Sequence, residues 1–264
     1  MNSTSQHQHS LIAESWIFAG RLFKQWRRYP MVPMQALLLP TLLLLVYGLL
    51  VGKSMVRLTG NNGLDVLIPV CTLAGAMSAA VGAGLAVPYD RDSGLLTRLW
   101  IMPVHRTAPL TGALLAEAVR TFFGSAFVVA AAYMLGFRFT GGAFEFIVYL
   151  LVPVIIVVVF ATIVITLALH PHGRTILTWT GTASMGLAFA TLIPVAKIPA
   201  LLRPIAEYQP VAPAAAAMRA LSAGESAWLP LLLTVLWAAA VAAIAVPATV
   251  RGYRAAVEGG KVDG

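Results

Sequence analysis

Charged residues are spaced unevenly along the chain, and six long stretches contain none: residues 29–52, 66–89, 121–137, 146–173, 175–196 and 226–250, of 24, 24, 17, 28, 22 and 25 residues. At 1.5 Å of rise per residue, a helix needs about 20 apolar residues to cross a hydrocarbon core of about 30 Å. Five of the stretches meet that length unaided. The third meets it if Glu117 and Arg120, three apart on one helix face, pair near the membrane interface and let the helix start earlier. The pattern therefore predicts an all-α, polytopic membrane protein with six transmembrane helices.

Between and before these spans the polar pattern changes character. Ser10–Arg28 reads as an amphipathic helix, with Ile12, Trp16, Ala19, Leu22, Phe23 and Trp26 on one arc and Glu14, Arg21, Lys24, Gln25 and Arg28 opposite. Such a helix lies in the membrane interface, and Tyr29-Pro30 turns the chain out of it. Tyr89–Arg106, between spans two and three, carries N-cap candidates Asp90, Asp92 and Ser93, apolar Leu95, Leu96, Leu99 and Trp100, and a stop at Pro103. It predicts a short helix held against the membrane, either a plain connector or a lever for a cytoplasmic partner. Residues 197–227 hold Pro199, Pro204, Pro210 and Pro213, followed by a helix-like run, and are too apolar for a free loop. They predict an outer re-entrant segment or a cap on the bundle, because irregular backbone at membrane depth must be covered by protein. The organisation expected is a flexible tail at 1–9, an interfacial helix at 10–29, a six-span membrane domain at 30–250 and a C-terminal tail at 251–264.

Composition agrees with this pattern and fixes its orientation. The 264 residues are 59% hydrophobic and 11% charged, with a mean hydropathy of +0.84, where soluble domains are about a quarter charged. The net charge of +8 could indicate nucleic acid, but the basic residues do not cluster. With both termini inside, twelve Lys and Arg fall on the cytoplasmic side and six (Lys53, Arg57, Arg138, Lys197, Arg203, Arg219) on the outer side. The positive-inside rule favours that arrangement, in a plasma membrane and facing its anionic lipids, with no nucleic-acid partner. The polar residues 1–10 are unlike a cleavable signal peptide. The single cysteine, Cys71, allows no internal disulfide and reads as a packing residue. Arg over Lys, with abundant Ala, Val and Gly, fits a bacterial source.

Two segments carry a resemblance. Asp90-Arg91-Asp92-Ser93-Gly94-Leu95, then Leu99-Trp100 and Pro103-Val104-His105-Arg106, resembles the cytoplasmic signature of ABC type 2 exporter permeases, and within them the daunorubicin-resistance type. Gln209-Pro210 and Met218-Arg219-Ala220-Leu221 are similar to the same type. Asp and Gln stand where the wider family more often has Glu and Asn. The resemblance implies the membrane half of an ATP-driven exporter of drugs or cell-envelope lipids, as in antibiotic efflux. ATP and Mg would be bound by a separate nucleotide-binding ATPase, with no cofactor on this chain, and a second copy or a related permease would face it. It also implies that the segment containing Asp92, Gly94, Leu95, Arg98, Leu99, Trp100, Pro103, His105 and Arg106 couples to the ATPase. Spans two and five would line the path, in keeping with their small residues, Gly75, Ser78 and Gly82 in one and Gly181 and Ser184 in the other. Ordinary close packing explains those residues equally well. Glu117 and Arg120 are either a structural interfacial pair or a polar contact for substrate or the facing subunit.

Catalytic and metal motifs are missing or mimicked. Gly48-Leu-Leu-Val-Gly52-Lys53-Ser54 is one residue short of a phosphate-binding loop, since Tyr47 occupies the first glycine position. His7-Gln-His9 and His170-Pro-His172 lack accompanying acidic ligands and read as tail and turn, so no metal is expected. An ion-coupled secondary transporter is the main alternative, but the charge-free windows hold no midplane carboxylate for ion coupling. A lipid-modifying enzyme is the third reading, and no nucleophile, base and orienter grouping supports it.

Overall fold

The computed structural model describes residues 10–59, 63–85, 87, 105, 107–170, 172–192 and 209–259. Among them are eight helices and no strand: α1 (Leu11–Arg28), α2 (Met31–Thr59), α3 (Gly63–Gly84), α4 (Ala108–Met134), α5 (Ala143–Ala168), α6 (Gly173–Ala190), α7 (Val211–Ala223) and α8 (Trp228–Gly259).

Local chemistry sets several helix ends. Ser10 caps α1 by accepting from the Ala13 N–H at 3.3 Å, and Arg27 and Arg28 lie in its last turn, where they complement the helix dipole. Pro30 then separates α1 from α2. At the start of α5 the Glu145 carboxylate accepts from the Gly142 N–H, leaving one fewer orphan donor. Gly224 ends α7 with φ +68°, a left-handed cap that glycine adopts without steric cost.

The described residues of all six charge-free windows lie largely in helices, but four helices are long and apolar enough to cross a membrane among the described residues: Gly63–Gly82, Ala108–Met134, Ala143–Ala168 and Trp228–Gly252. The windows expected to be spans one and five belong to α2 and α6. Among the described residues α2 offers the shorter apolar stretch Leu37–Leu50, and the 18 residues of α6 carry Arg174 and a series of Thr and Gly that lower their apolar character.

Helix α3 is the axis of the bundle. It packs against α2, α4, α5, α6 and α7, and 78% of its most apolar stretch is buried, against 11% for α8, which lies against α5 and α7. The main core joins Leu67, Ile68, Cys71 and Leu73 of α3 to Val128 and Val129 of α4, Tyr149 and Val152 of α5, and Met218 of α7. Cys71 is one more packing side chain in that core.

Helix approach is close where glycine permits it. A Cβ on Gly75 would lie 2.4 Å from Pro40 Cβ, and one on Gly84 only 2.1 Å from Val164 Cγ1, so α2 and α5 press directly on the α3 backbone. α8 is fastened differently. The Thr166 and Thr249 hydroxyls hydrogen-bond to each other, and Thr249 Oγ1 also donates to the Ala245 carbonyl at 2.8 Å within its own helix.

At the end of the bundle where α4 passes to α5, Thr140 donates from its backbone N–H (3.0 Å) and its hydroxyl (2.8 Å) to the Ser222 carbonyl of α7. Phe139 stands edge-on to Phe146 and Tyr149 beside this tie. The 13-residue helix α7 is thus secured over that end, burying Val211, Ala214, Ala215, Met218 and Leu221. Residues 193–208, most of the irregular part of the predicted re-entrant segment, lie outside the described residues.

Candidate functional site

At the opposite end, α1 skips its sequence neighbour and packs along the first half of α4. Glu14, in the first turn of α1, is buried, and its Oε2 accepts from the His105 backbone N–H at 2.8 Å. The same oxygen lies 3.0 Å from His105 Nδ1. Next to it the Ser15 hydroxyl is hydrogen-bonded to the Thr111 hydroxyl. Gly112 lets the two backbones meet, because a Cβ there would come within 2.8 Å of the Ser15 carbonyl oxygen and 2.5 Å of Phe18 Cβ.

Two turns further along α4, Arg120 donates through Nη2 to the Glu117 carboxylate, and both side chains are buried. The Trp26 ring of α1 lies 5.8 Å from the centre of the Arg120 guanidinium, within cation–π range. A buried ion pair is stable only when its partners hold one another in good geometry. The i,i+3 spacing on α4 supplies the carboxylate and α1 supplies the aromatic face.

Arg120 also borders a small, partly open cavity of about 20 Å³ between α2, α3 and α4, lined as well by Pro40, Thr72, Gly75, Thr121 and Ser125. Thr72 donates to the Ile68 carbonyl at 2.7 Å and Ser125 to the Thr121 carbonyl at 2.8 Å, each within its own helix.

Of the residues the resemblance assigns to ATPase coupling, His105 is in view, and it closes the Glu14 clasp. Asp92, Gly94, Leu95, Arg98, Leu99, Trp100, Pro103 and Arg106 lie outside the described residues. The small residues of α3 and α6 divide into two groups. Gly75 receives Pro40, Gly181 faces Val81 Cγ1 at 3.2 Å, and Ser184 is buried with its hydroxyl on the Gly181 carbonyl. Gly82 is exposed, with open space where a Cβ would stand, and Ser78 is half-buried. Gly75, Gly181 and Ser184 thus lie at close helix contacts, while Gly82 lies on an open face. Among the described residues no three metal-ligating side chains gather.

The sequence pattern missed the clasp. It put Glu14 opposite the apolar arc of Ile12, Trp16 and Ala19 that faces the membrane interface. In the structure Ile12 is 80% and Trp16 59% exposed, as a lipid-facing arc is, but Glu14, Ser15 and Ala19 are buried. The strip facing α4 is small and polar because it meets backbone and the end of a loop, and the large apolar side chains face outward, where an interfacial helix meets lipid. An acid in the first turn reads as a dipole partner, and nothing in the pattern marks it as a loop anchor.

The ABC-2 type transporter family matches residues 14–222, a range that runs from the clasp glutamate to the end of α7. The chain belongs to that family. This ABC-2 protein is 30% identical over 248 residues, 93% of its length and 90% of the relative's, to the probable doxorubicin resistance ABC transporter permease protein DrrC of Mycobacterium tuberculosis. It is 26% identical over 239 residues, 89% and 83% of the two lengths, to the daunorubicin resistance ABC transporter permease protein DrrB1 of Streptomyces coeruleorubidus. The putative transport permease ycf38 of Cyanophora paradoxa is 30% identical over 105 residues, 39% of the chain and 36% of the relative. The ABC-2 protein is accordingly a multi-pass membrane protein of the kind that forms the membrane subunit of ABC exporters.

Proposed function

We propose that the chain is the six-span permease subunit of an ATP-driven exporter that moves a hydrophobic or amphipathic drug, or a cell-envelope lipid, out of a bacterial cell. Both termini face the cytoplasm. A separate ATPase binds ATP and Mg, and a second permease, identical or related, completes the path. The observation that carries this reading is the near full-length likeness to permeases named for doxorubicin and daunorubicin resistance.

The mechanism follows from the joint at α1. Closure of the ATPases on ATP would push the segment from Asp92 to Arg106, through Gly94, Leu95, Arg98, Leu99, Trp100 and Pro103. The last part of that segment reaches α1 through the Glu14–His105 bonds and α4 directly through the chain. A push there moves α1 and α4 together, because Gly112 and the Ser15–Thr111 bond leave no gap between them. ATP must favour one arrangement of the spans over the other for this to drive transport.

Co-expression with the cognate ATPase tests the reading by doxorubicin tolerance and drug-stimulated ATP turnover. Gly94→Pro, Arg98→Glu and Trp100→Ala are expected to weaken copurification of the ATPase or to abolish stimulation. Normal complexes and turnover in all three would remove the coupling assignment. Transport by the purified chain on an ion gradient alone would replace the exporter reading with secondary transport.

A further inference from the structure

The cavity beside Arg120 contains polar groups that the packing of the bundle does not use. Arg120 Nε and Thr121 Oγ1 have no hydrogen-bond partner among the described residues, although the two residues are only 7% and 6% exposed and both line the cavity. Burying such groups without partners is costly, and native structures supply partners for nearly all of them.

The donor set narrows the ligand. The guanidinium charge is already met by Glu117 through Nη2, so Nε presents a directional N–H with no call for an anion. Thr72 and Ser125 direct their protons to the Ile68 and Thr121 carbonyls, which leaves their oxygens able to accept from the cavity. The ligand atom must therefore accept from Arg120 Nε, while the Thr121 hydroxyl can either donate to it or accept from it. A hydroxyl fits either role of Thr121, a carbonyl or ether fits only where Thr121 donates, and an ammonium cannot accept from Arg120 at all. Pro40, Gly75, Gly124 and Val128 complete the wall with small apolar surface, suited to a water molecule or to a short carbon stem bearing the hydroxyl.

We propose that this cavity is a subsite for one neutral hydroxyl group, supplied by water or by an alcohol carried on the transported compound. The second source rests on the exporter reading above.

The test uses the full chain assembled with its ATPase in lipid nanodiscs, as wild type, Thr121→Val and Thr121→Ser. One arm is a cryo-EM map fine enough to show waters, without added drug. The other is the doxorubicin concentration giving half-maximal stimulation of ATP turnover. A single oxygen peak within hydrogen-bond distance of Arg120 Nε, lost in Thr121→Val and regained in Thr121→Ser, identifies water. A rise of at least about threefold in the doxorubicin concentration for Thr121→Val, reversed by Thr121→Ser, identifies the alcohol of the transported compound. Absence of both the peak and the shift overturns the proposal. If doxorubicin does not stimulate the wild-type complex, the exporter reading fails for that drug, and the oxygen peak alone decides the cavity.

Discussion

One carboxylate oxygen of Glu14 takes both bonds from His105 and so ties α1 to the described end of the loop. Hydrogen bonds to a charged group contribute about 1.5–3 kcal/mol each in favourable settings, and His105 is exposed enough to be at the low end. Glu14→Ala is expected to lower the thermal midpoint of the purified chain by a few degrees and to uncouple ATP turnover from transport. Glu14→Gln should lose less, since its amide oxygen still accepts from the backbone N–H. Equal loss in both variants, or none in either, would contradict the clasp. The glycines make a sharper pair. Gly75→Ala drives a methyl into Pro40 and should cost about 1–3 kcal/mol, as overpacking does, while Gly82→Ala meets nothing within 4 Å and should leave the melting curve unchanged.

At the scale of elements, the sequence pattern located the helices well, because charge-free length is what a bilayer demands of a span. The described residues of each of the six windows lie largely in a helix, and α1 occupies 11–28. Faces were harder to read. Glu14 was read on the polar face opposite the membrane-facing arc of Ile12 and Trp16, and nothing in the pattern showed that its own side of the helix is buried. Pro40 within α2 has no obvious meaning in the sequence until Gly75 is seen beneath it. Likewise Thr249 is one polar residue in an apolar run, yet it is fully buried and bonded to Thr166 of α5. Hydrogen bonds between membrane helices contribute about 0.6 kcal/mol on average and up to about 1.7. Thr249→Val should therefore loosen α8 slightly, read as faster proteolysis of the α7–α8 turn with the rest of the bundle intact. Unchanged proteolysis would show that apolar contact alone holds α8.

For the molecule as a whole, the buried position of Cys71 is useful, since the chain has no other cysteine. Single cysteines introduced at the exposed positions Ser10, Thr140, His170 and Glu225 can then report sidedness with an impermeant thiol reagent in intact cells. Six spans with cytoplasmic termini require labelling at Thr140→Cys and Glu225→Cys and protection at Ser10→Cys and His170→Cys until the membrane is opened. Any other pattern changes the span count or the orientation.

The partners of α1 lie far downstream: Glu14 bonds a residue 91 positions later and Ser15 one 96 positions later. At about 5–20 residues per second of synthesis, α1 waits about 5–20 s for its seat on α4 to be made. Through that interval the bilayer surface offers α1 an apolar support. Ile12, Trp16 and Ile17, which remain exposed after docking, give the nascent chain a temporary mooring that assembly never has to undo.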